Sequence, residues 1–405
     1  MSLNRREFMR LLGIAGTAGM TINSRVFSEE TFEYRLQQPL PQVLIIGAGA
    51  AGLTAGYILH NKGVSFEILE AADTYGGRLK KTEALADFPI DLGAEWLHTW
   101  IGADAPALTP ALANTHPDFK TFKYQPQTVS HWSRGQLKTR NWLSHLMPRK
   151  DRKFISSTWF DYFENEITPA ILEHIQLNEI VTRIDRTGAR VHVTTHSGQH
   201  YEADKVIVTV PVRILQDGDI DFVPPLPAEA ICELNKENMT PGLKVFIEFQ
   251  ERFYPDLIIV GKFLKALLTE DHLFYDATLG KATDRHVLGL YASGTAVADY
   301  TPVPGNEAIR LAVLARLDEM FNGEASRQYI NSVVQNWTAE PFIRGTYSRH
   351  SAKLVNHLRQ VDEKLFFAGE AINKQSRTIA VHGAGESAYL AVKAALASGF
   401  EESFT

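Results

Sequence analysis

Val43-Leu44-Ile45-Ile46-Gly47-Ala48-Gly49-Ala50-Ala51-Gly52 is the stretch on which the fold turns. Its apolar run, bounded by glycine, reads as a buried parallel strand. The glycines then serve separate ends. Gly47 permits a tight turn, Gly49 lets backbone approach a pyrophosphate, and Gly52 lets a helix pack on the strand. Ala51 lies where that helix opens, and the N–H groups and partial positive charge of a helix start suit phosphates. The helix carries Leu53, Tyr57 and Ile58, stops at Asn61-Lys62-Gly63, and leads to a second strand, Ser65 to Leu69, that ends on Glu70. An acid at that distance suits ribose hydroxyls. The expected fold is therefore α/β, with a Rossmann-like dinucleotide-binding domain. This turn alone does not separate NAD from FAD.

With 405 residues, two domains are the natural expectation. A hydrophobic content of 44% with 22% charged residues describes an ordinary globular chain, and a net charge of -6 gives no pull toward nucleic acid. The basic run Arg149-Lys150-Asp151-Arg152-Lys153 reads as a solvated helix face or loop. The single cysteine, Cys232, excludes an internal disulfide, a Cys-rich zinc site and a two-thiol redox motif; no metal is expected, and such a cysteine is expected as a small buried hydrophobe. At the N-terminus, Asn4-Arg5-Arg6-Glu7-Phe8-Met9-Arg10 precedes a mild apolar stretch, Leu11 to Ile22. Residues 1–30 thus have the layout of a twin-arginine export signal. They predict a periplasmic or exported protein, folded before crossing, with at most a weak N-terminal membrane association.

Further along, residues 100–166 mix Trp, His, basic residues and prolines, and read as a loop-and-helix insertion. Period-two alternation predicts strands over Ile175–Ile184, Val191–Thr195 and Val206–Val210, with Arg186-Thr187-Gly188 as a hairpin turn. Pro224, Pro225 and Pro227 read as a linker. Lys244–Phe249 reads as a strand, Asn306–Met320 as a helix, Leu365–Ala368 as a strand and Glu386–Ala397 as a closing helix.

Gly76-Gly77-Arg78 and Asp91-Leu92-Gly93-Ala94-Glu95-Trp96-Leu97-His98 follow Glu70. Here the sequence resembles the flavin-containing amine oxidases, the monoamine and polyamine oxidases, over about residues 41–397. The resemblance implies non-covalent FAD. It puts Gly77 and Arg78 on the phosphates and the backbone of Gly93 and Ala94 beside the flavin, with Glu95 and Trp96 next to them also cofactor-binding. It puts Val181 at the adenine, Gly369 and Glu370 at the ribityl or phosphate region, and the N–H of Val381 at the flavin pyrimidine. An arginine offers a planar fork for pyrophosphate. Lys244 is similar to the family lysine that holds a water against the flavin. Trp337 would back the ring, and Tyr347 would be one wall of an aromatic cage for the amine. Thr346 stands where monoamine oxidases carry a flavin-bonded cysteine. Ala380 leaves the second cage wall without an aromatic. That, with His98, leans toward polyamine-type or secondary amines.

The implied domains are FAD-binding residues 40–98, 166–236 and 345–400, and a mixed α+β substrate domain of residues 99–165 and 237–344. The implied reaction oxidises an amine C–N bond to an imine while oxygen becomes hydrogen peroxide. Two departures stand out: no glycine occurs between Gly135 and Gly188, and the substrate region is short. Competing readings are an L-amino-acid oxidase, with Arg344 or an arginine of residues 134–152 for the carboxylate, and a carotenoid- or porphyrinogen-type flavin dehydrogenase. A third is an FAD-binding scaffold whose cage has decayed.

Overall fold

Strand Val43–Ile46 sits in the middle of a five-stranded parallel sheet, between Phe66–Leu69 and Lys205–Val208, with Ile175–Gln176 and Leu365–Phe367 at the edges. Helix Ala50–Asn61 links its first two strands and ends at Gly63, whose φ of 66° is the left-handed close that the sequence signals. This computed structural model describes residues 40–98, 108, 115–146, 152–262, 271–348, 351–373 and 380–397. The export-signal reading at residues 1–30 lies outside them. No helix among the described residues is long and apolar enough to cross a membrane.

Alternation along the central strand builds two cores. Val43 and Ile45 join Leu53 and Ala55 of the first helix and Ala388 and Val392 of the last, Val381–Ala397. Leu44 and Ile46 join Ile184, Val191 and Val193 of a four-stranded sheet on the other face. Burial on both faces is why Val43 to Ile46 is apolar throughout instead of alternating.

The alternating stretch Ile175–Ile184 proves to be two strands in two sheets. Ile175–Gln176 edges the parallel sheet, whereas Val181–Asp185 pairs with Val191–Thr195. Asn178, at φ 62°, breaks the run between them, a conformation asparagine tolerates better than most residues.

Residues 100–166 are also more strand-rich than expected. Val129–Ser133 and Gln136–Thr139 form a hairpin closed by Arg134 and Gly135 at φ 53° and 71°, the paired positive angles of a tight hairpin turn. That hairpin extends a seven-stranded sheet whose core strand, Gly242–Phe249, is paired along both edges. Leu243, Val245 and Ile247 pack under helix Asn306–Phe321. Lys244 and Phe246 therefore point to the opposite face, where Phe246 packs with Leu92, Tyr124 and Tyr275. Helix Trp159–Glu166, held by a capping box between Thr158 and Asp161, returns to the dinucleotide core through Trp159, Tyr162 and Phe163.

Candidate active site

A cavity of about 900 Å³ runs from the glycine turn to Tyr347. At its first end the walls are backbone. Gly47 has a φ of 104°, and a Cβ on Gly52 would sit 1.8 Å from the Gly47 carbonyl oxygen. A Cβ on Gly77 would lie 3.3 Å from the Gly49 Cα, so this second glycine turn lies directly against the first. Glu70 lines the cavity, and it also holds the turn: Ala48 N–H donates to its Oε2 at 2.6 Å and Ala72 N–H to its Oε1 at 3.0 Å. Burial pushes its carboxyl pKa up against those hydrogen bonds. Ala51 and Val181 complete this end.

In the middle, Arg78 and Glu370 form one unit. The guanidinium pairs with Glu370 at 3.0 Å and donates to the Thr346 carbonyl. Ser348 Oγ donates to the same carboxylate at 3.3 Å. Gly369, at φ 140°, is fixed by Ser387, whose Oγ accepts its N–H at 2.8 Å. Gly93 is wedged: a Cβ there would meet the Arg78 carbonyl oxygen at 1.8 Å and the Trp337 ring at 3.1 Å. Trp337 is held by its Nε1–H donating to Leu92 O at 2.9 Å. The closing helix starts at Val381 instead of Glu386, so its first turn, with Val381 and Ala384, lines the cavity. Gly383 and Gly385 hide that turn from a propensity reading.

The inner end is built from side chains. Lys244 Nζ donates to Glu95 Oε2 at 2.7 Å and to Asp91 O at 3.1 Å, with the lysine 5% exposed. Lys153 pairs with the other oxygen of Glu95 at 2.5 Å, and the Tyr275 hydroxyl donates to Glu95 at 2.6 Å. Burial alone would push the Glu95 carboxyl up; the Lys153 and Lys244 ammonium groups outweigh it and hold the pKa at about 2. Asp91, equally buried and beside Glu95, is pushed well above the usual carboxylate range. Tyr347 meets a tyrosine after all, from another strand: the Tyr291 hydroxyl donates to its oxygen at 3.2 Å. His98 lines the cavity, its ring 6.0 Å from that of His382.

Three expectations change. Lys153 is no solvated member of a basic run but the 4%-exposed partner of Glu95, because strand Arg152–Phe154 carries it inward; residues 149–151 lie outside the described residues. Arg344 is no carboxylate receptor, since it pairs with Asp217 and Asp219 at 2.6 and 2.7 Å. Cys232 is exposed, because helix Ala228–Leu234 buries Ala230 and Leu234 instead. Sequence reasoning missed Lys153, Tyr275 and Tyr291. The one available signal was the alternation that puts Tyr275 and Tyr291 on the same sheet face as Phe246 or Lys244.

The residues present fit a dinucleotide: two interlocked glycine turns that a Cβ would fill, a helix start and a positioned arginine line a cavity of matching size. The one cysteine lies outside the lining. Residues 45–114 match the NAD(P)-binding Rossmann-like domain, and residues 161–396 match the flavin containing amine oxidoreductases. Lysine-specific histone demethylase 2 of Homo sapiens is 24% identical over 91% of this chain and 55% of that protein, so the chain spans about half the length of that relative. Polyamine oxidase 4 of Oryza sativa subsp. japonica is 27% identical over 88% of each. Among solved structures, cyclohexylamine oxidase from Brevibacterium oxydans shares the fold, at TM-score 0.70, 17% identity and coverage of 88% of this chain and 99% of that one. Putrescine oxidase bound to putrescine does so at TM-score 0.68, 17% identity and coverage of 87% and 98%. The chain belongs to the flavin containing amine oxidoreductase family, and its cofactor is FAD held without a covalent bond.

Proposed function

We propose that this chain oxidises an amine at its C–N bond. Amine, oxygen and water would yield an aldehyde or ketone, hydrogen peroxide, and ammonia or a smaller amine, one of each. FAD supplies the two-electron acceptor for the amine α-carbon. The observation that carries the reading is the placement of Lys244. It is buried on the cavity face of strand Gly242–Phe249, while Gly93 and Trp337 line the same cavity. An ammonium group has three N–H bonds. Asp91 O and Glu95 take two, leaving one that can hold a water at the flavin edge. Tyr347 and Tyr291 offer ring faces and hydroxyls to a neutral amine, and Trp96, Leu257 and Leu273 keep bulk water from it.

An amino-acid oxidase would need a cavity arginine for the substrate carboxylate. Arg78, the arginine that lines the cavity among the described residues, is paired with Glu370, and Arg344 is paired elsewhere. Stopped-flow reduction of the purified yellow protein by an amine panel tests the reading; no bleaching with any amine would leave the scaffold reading standing. Lys244→Met should slow oxygen-dependent reoxidation more than amine-dependent reduction, and equal slowing of both would remove Lys244 from its role. Twin-arginine export of the FAD-loaded protein is a separate proposal, resting on residues 1–30 and tested by cell fractionation.

A further inference from the structure

Lys153 stands in an unusual box. Its Nζ lies 5.1 Å from the ring centre of Trp96, 5.0 Å from Tyr124 and 5.0 Å from Tyr275, and 2.5 Å from Glu95 Oε1. Aromatic faces around a carboxylate are the chemistry that recognises an alkylammonium ion. The box is held rigidly. Tyr124 donates its hydroxyl to Asp256 O at 3.0 Å, Tyr275 donates to Glu95, and Leu97 and Arg152 exchange backbone hydrogen bonds at 2.9 and 3.0 Å. That last pair keeps the strand of Lys153 beside the segment of Glu95 and Trp96. Three of the walls, Glu95, Trp96 and Tyr275, also line the substrate end of the cavity, whereas Lys153 does not.

We propose that Lys153 is a specificity-determining residue: its ammonium fills, from inside the fold, a box that would otherwise accept the remote ammonium of a diamine. The chain therefore selects amines whose remote end is apolar. This rests on the amine-oxidising reading above. The charge arrangement supports it. Glu95 faces two ammonium groups, Lys153 and Lys244, so no anionic surplus remains there for a second cationic end. Three other cavity acids are paired as well, Glu370 with Arg78, Asp219 with Arg344 and Glu340 with Lys80. Leu257 and Leu273 add apolar surface to that end. The lean toward polyamines drawn from His98 and Ala380 is thereby outweighed.

The test is a matched pair, an n-alkylamine and the α,ω-diamine of equal chain length, compared by kcat/KM on the FAD-loaded protein. The wild type should favour the monoamine by about tenfold or more. Lys153→Ala should shift that ratio toward the diamine by about tenfold, and added methylammonium, filling the emptied box, should reverse the shift. Lys153→Met, which keeps the bulk without the charge, should not show the gain. A wild type that turns over the diamine as well as the monoamine would overturn the proposal, as would a folded, yellow Lys153→Ala with an unchanged ratio. Should the alanine variant not fold, the wild-type ratio decides alone. Should no amine reduce the flavin, the functional reading fails instead, and calorimetric binding of the two ligands to wild type and variants still decides this one.

Discussion

The two ends of the cavity are built by opposite means. At the dinucleotide end the work is done by backbone: glycines at Gly47, Gly49, Gly52 and Gly77 let main chain approach main chain, and Glu70 is satisfied by the N–H groups of Ala48 and Ala72. At the substrate end it is done by side chains from strands far apart in sequence: Lys153, Lys244 and Tyr275 converge on the single carboxylate of Glu95. A backbone site tolerates changes of side chain and fails on addition of a Cβ. A buried ion cluster behaves the other way, because each member is costly without the others.

The largest effect should come from Glu95→Ala. It leaves two buried ammonium groups facing each other, and removal of one partner from a buried pair typically costs about 3–5 kcal/mol. Denaturant unfolding measures this directly; a loss below about 1 kcal/mol, the range of exposed pairs, would show that the cluster is wetter than its geometry. The pH dependence has a definite sign. Because the folded pKa of Glu95 is depressed to about 2, its contribution is complete above the unfolded carboxyl value, about 4.3, and fades as pH falls toward 2. Glu95→Gln should flatten the wild-type stability loss in that window.

This contrast also explains what could be read from sequence. The glycine turn was legible because it acts through local backbone, where spacing along the chain carries the geometry, whereas Arg78, Gly93 and Val381 were singled out only by the resemblance to the amine oxidases; all three line the cavity. Lys244 and Trp337 were also named by the resemblance, with the apolar neighbours of Lys244 adding that such a lysine needs a partner. Lys153 was not. It sits in a run of charges that looks solvated, and only the pairing of Arg152–Phe154 with Thr121–Lys123 carries it inward. The Tyr291 wall was missed for the same reason: strand His286–Ser293 brings it to Tyr347 from 56 residues away in sequence. Residues 129–139 were misread because Arg134 gives no glycine-like warning of a positive φ.

Gly52→Ala should be next in size, and it breaks the other end. The added Cβ would sit 1.8 Å from the Gly47 carbonyl oxygen and 3.1 Å from Thr209 Oγ1, and because the first of these is backbone the turn must open. We expect FAD affinity to fall by about 100-fold, near 3 kcal/mol, read from flavin absorbance after gel filtration, with stability of the apoprotein changed far less. Gly135→Ala is the control. Its φ of 71° makes alanine unfavourable, yet nothing lies within 4 Å, so it should cost about 1 kcal/mol of stability and leave FAD binding intact. Equal FAD loss in both would mean the clash at Gly47 is not the cause.

Tyr347→Phe should have the smallest effect, and it separates ring from hydroxyl. The hydroxyl accepts from Tyr291 at 3.2 Å and meets Ser293 Oγ at 3.4 Å, while the ring contributes a cavity wall. Burial holds the Tyr291 phenol far above its ordinary pKa, and a hydrogen bond of this kind is worth about 1 kcal/mol. Phenylalanine keeps the face and loses only the hydroxyl contacts, so kcat/KM for an amine should fall by about fivefold, without change in FAD content. Tyr347→Leu also removes the face and should cost several times more. If phenylalanine and leucine prove equal, the hydroxyl pair, not the aromatic face, positions the amine. Then the substrate end would depend on polar contacts throughout, from Glu95 to Tyr347.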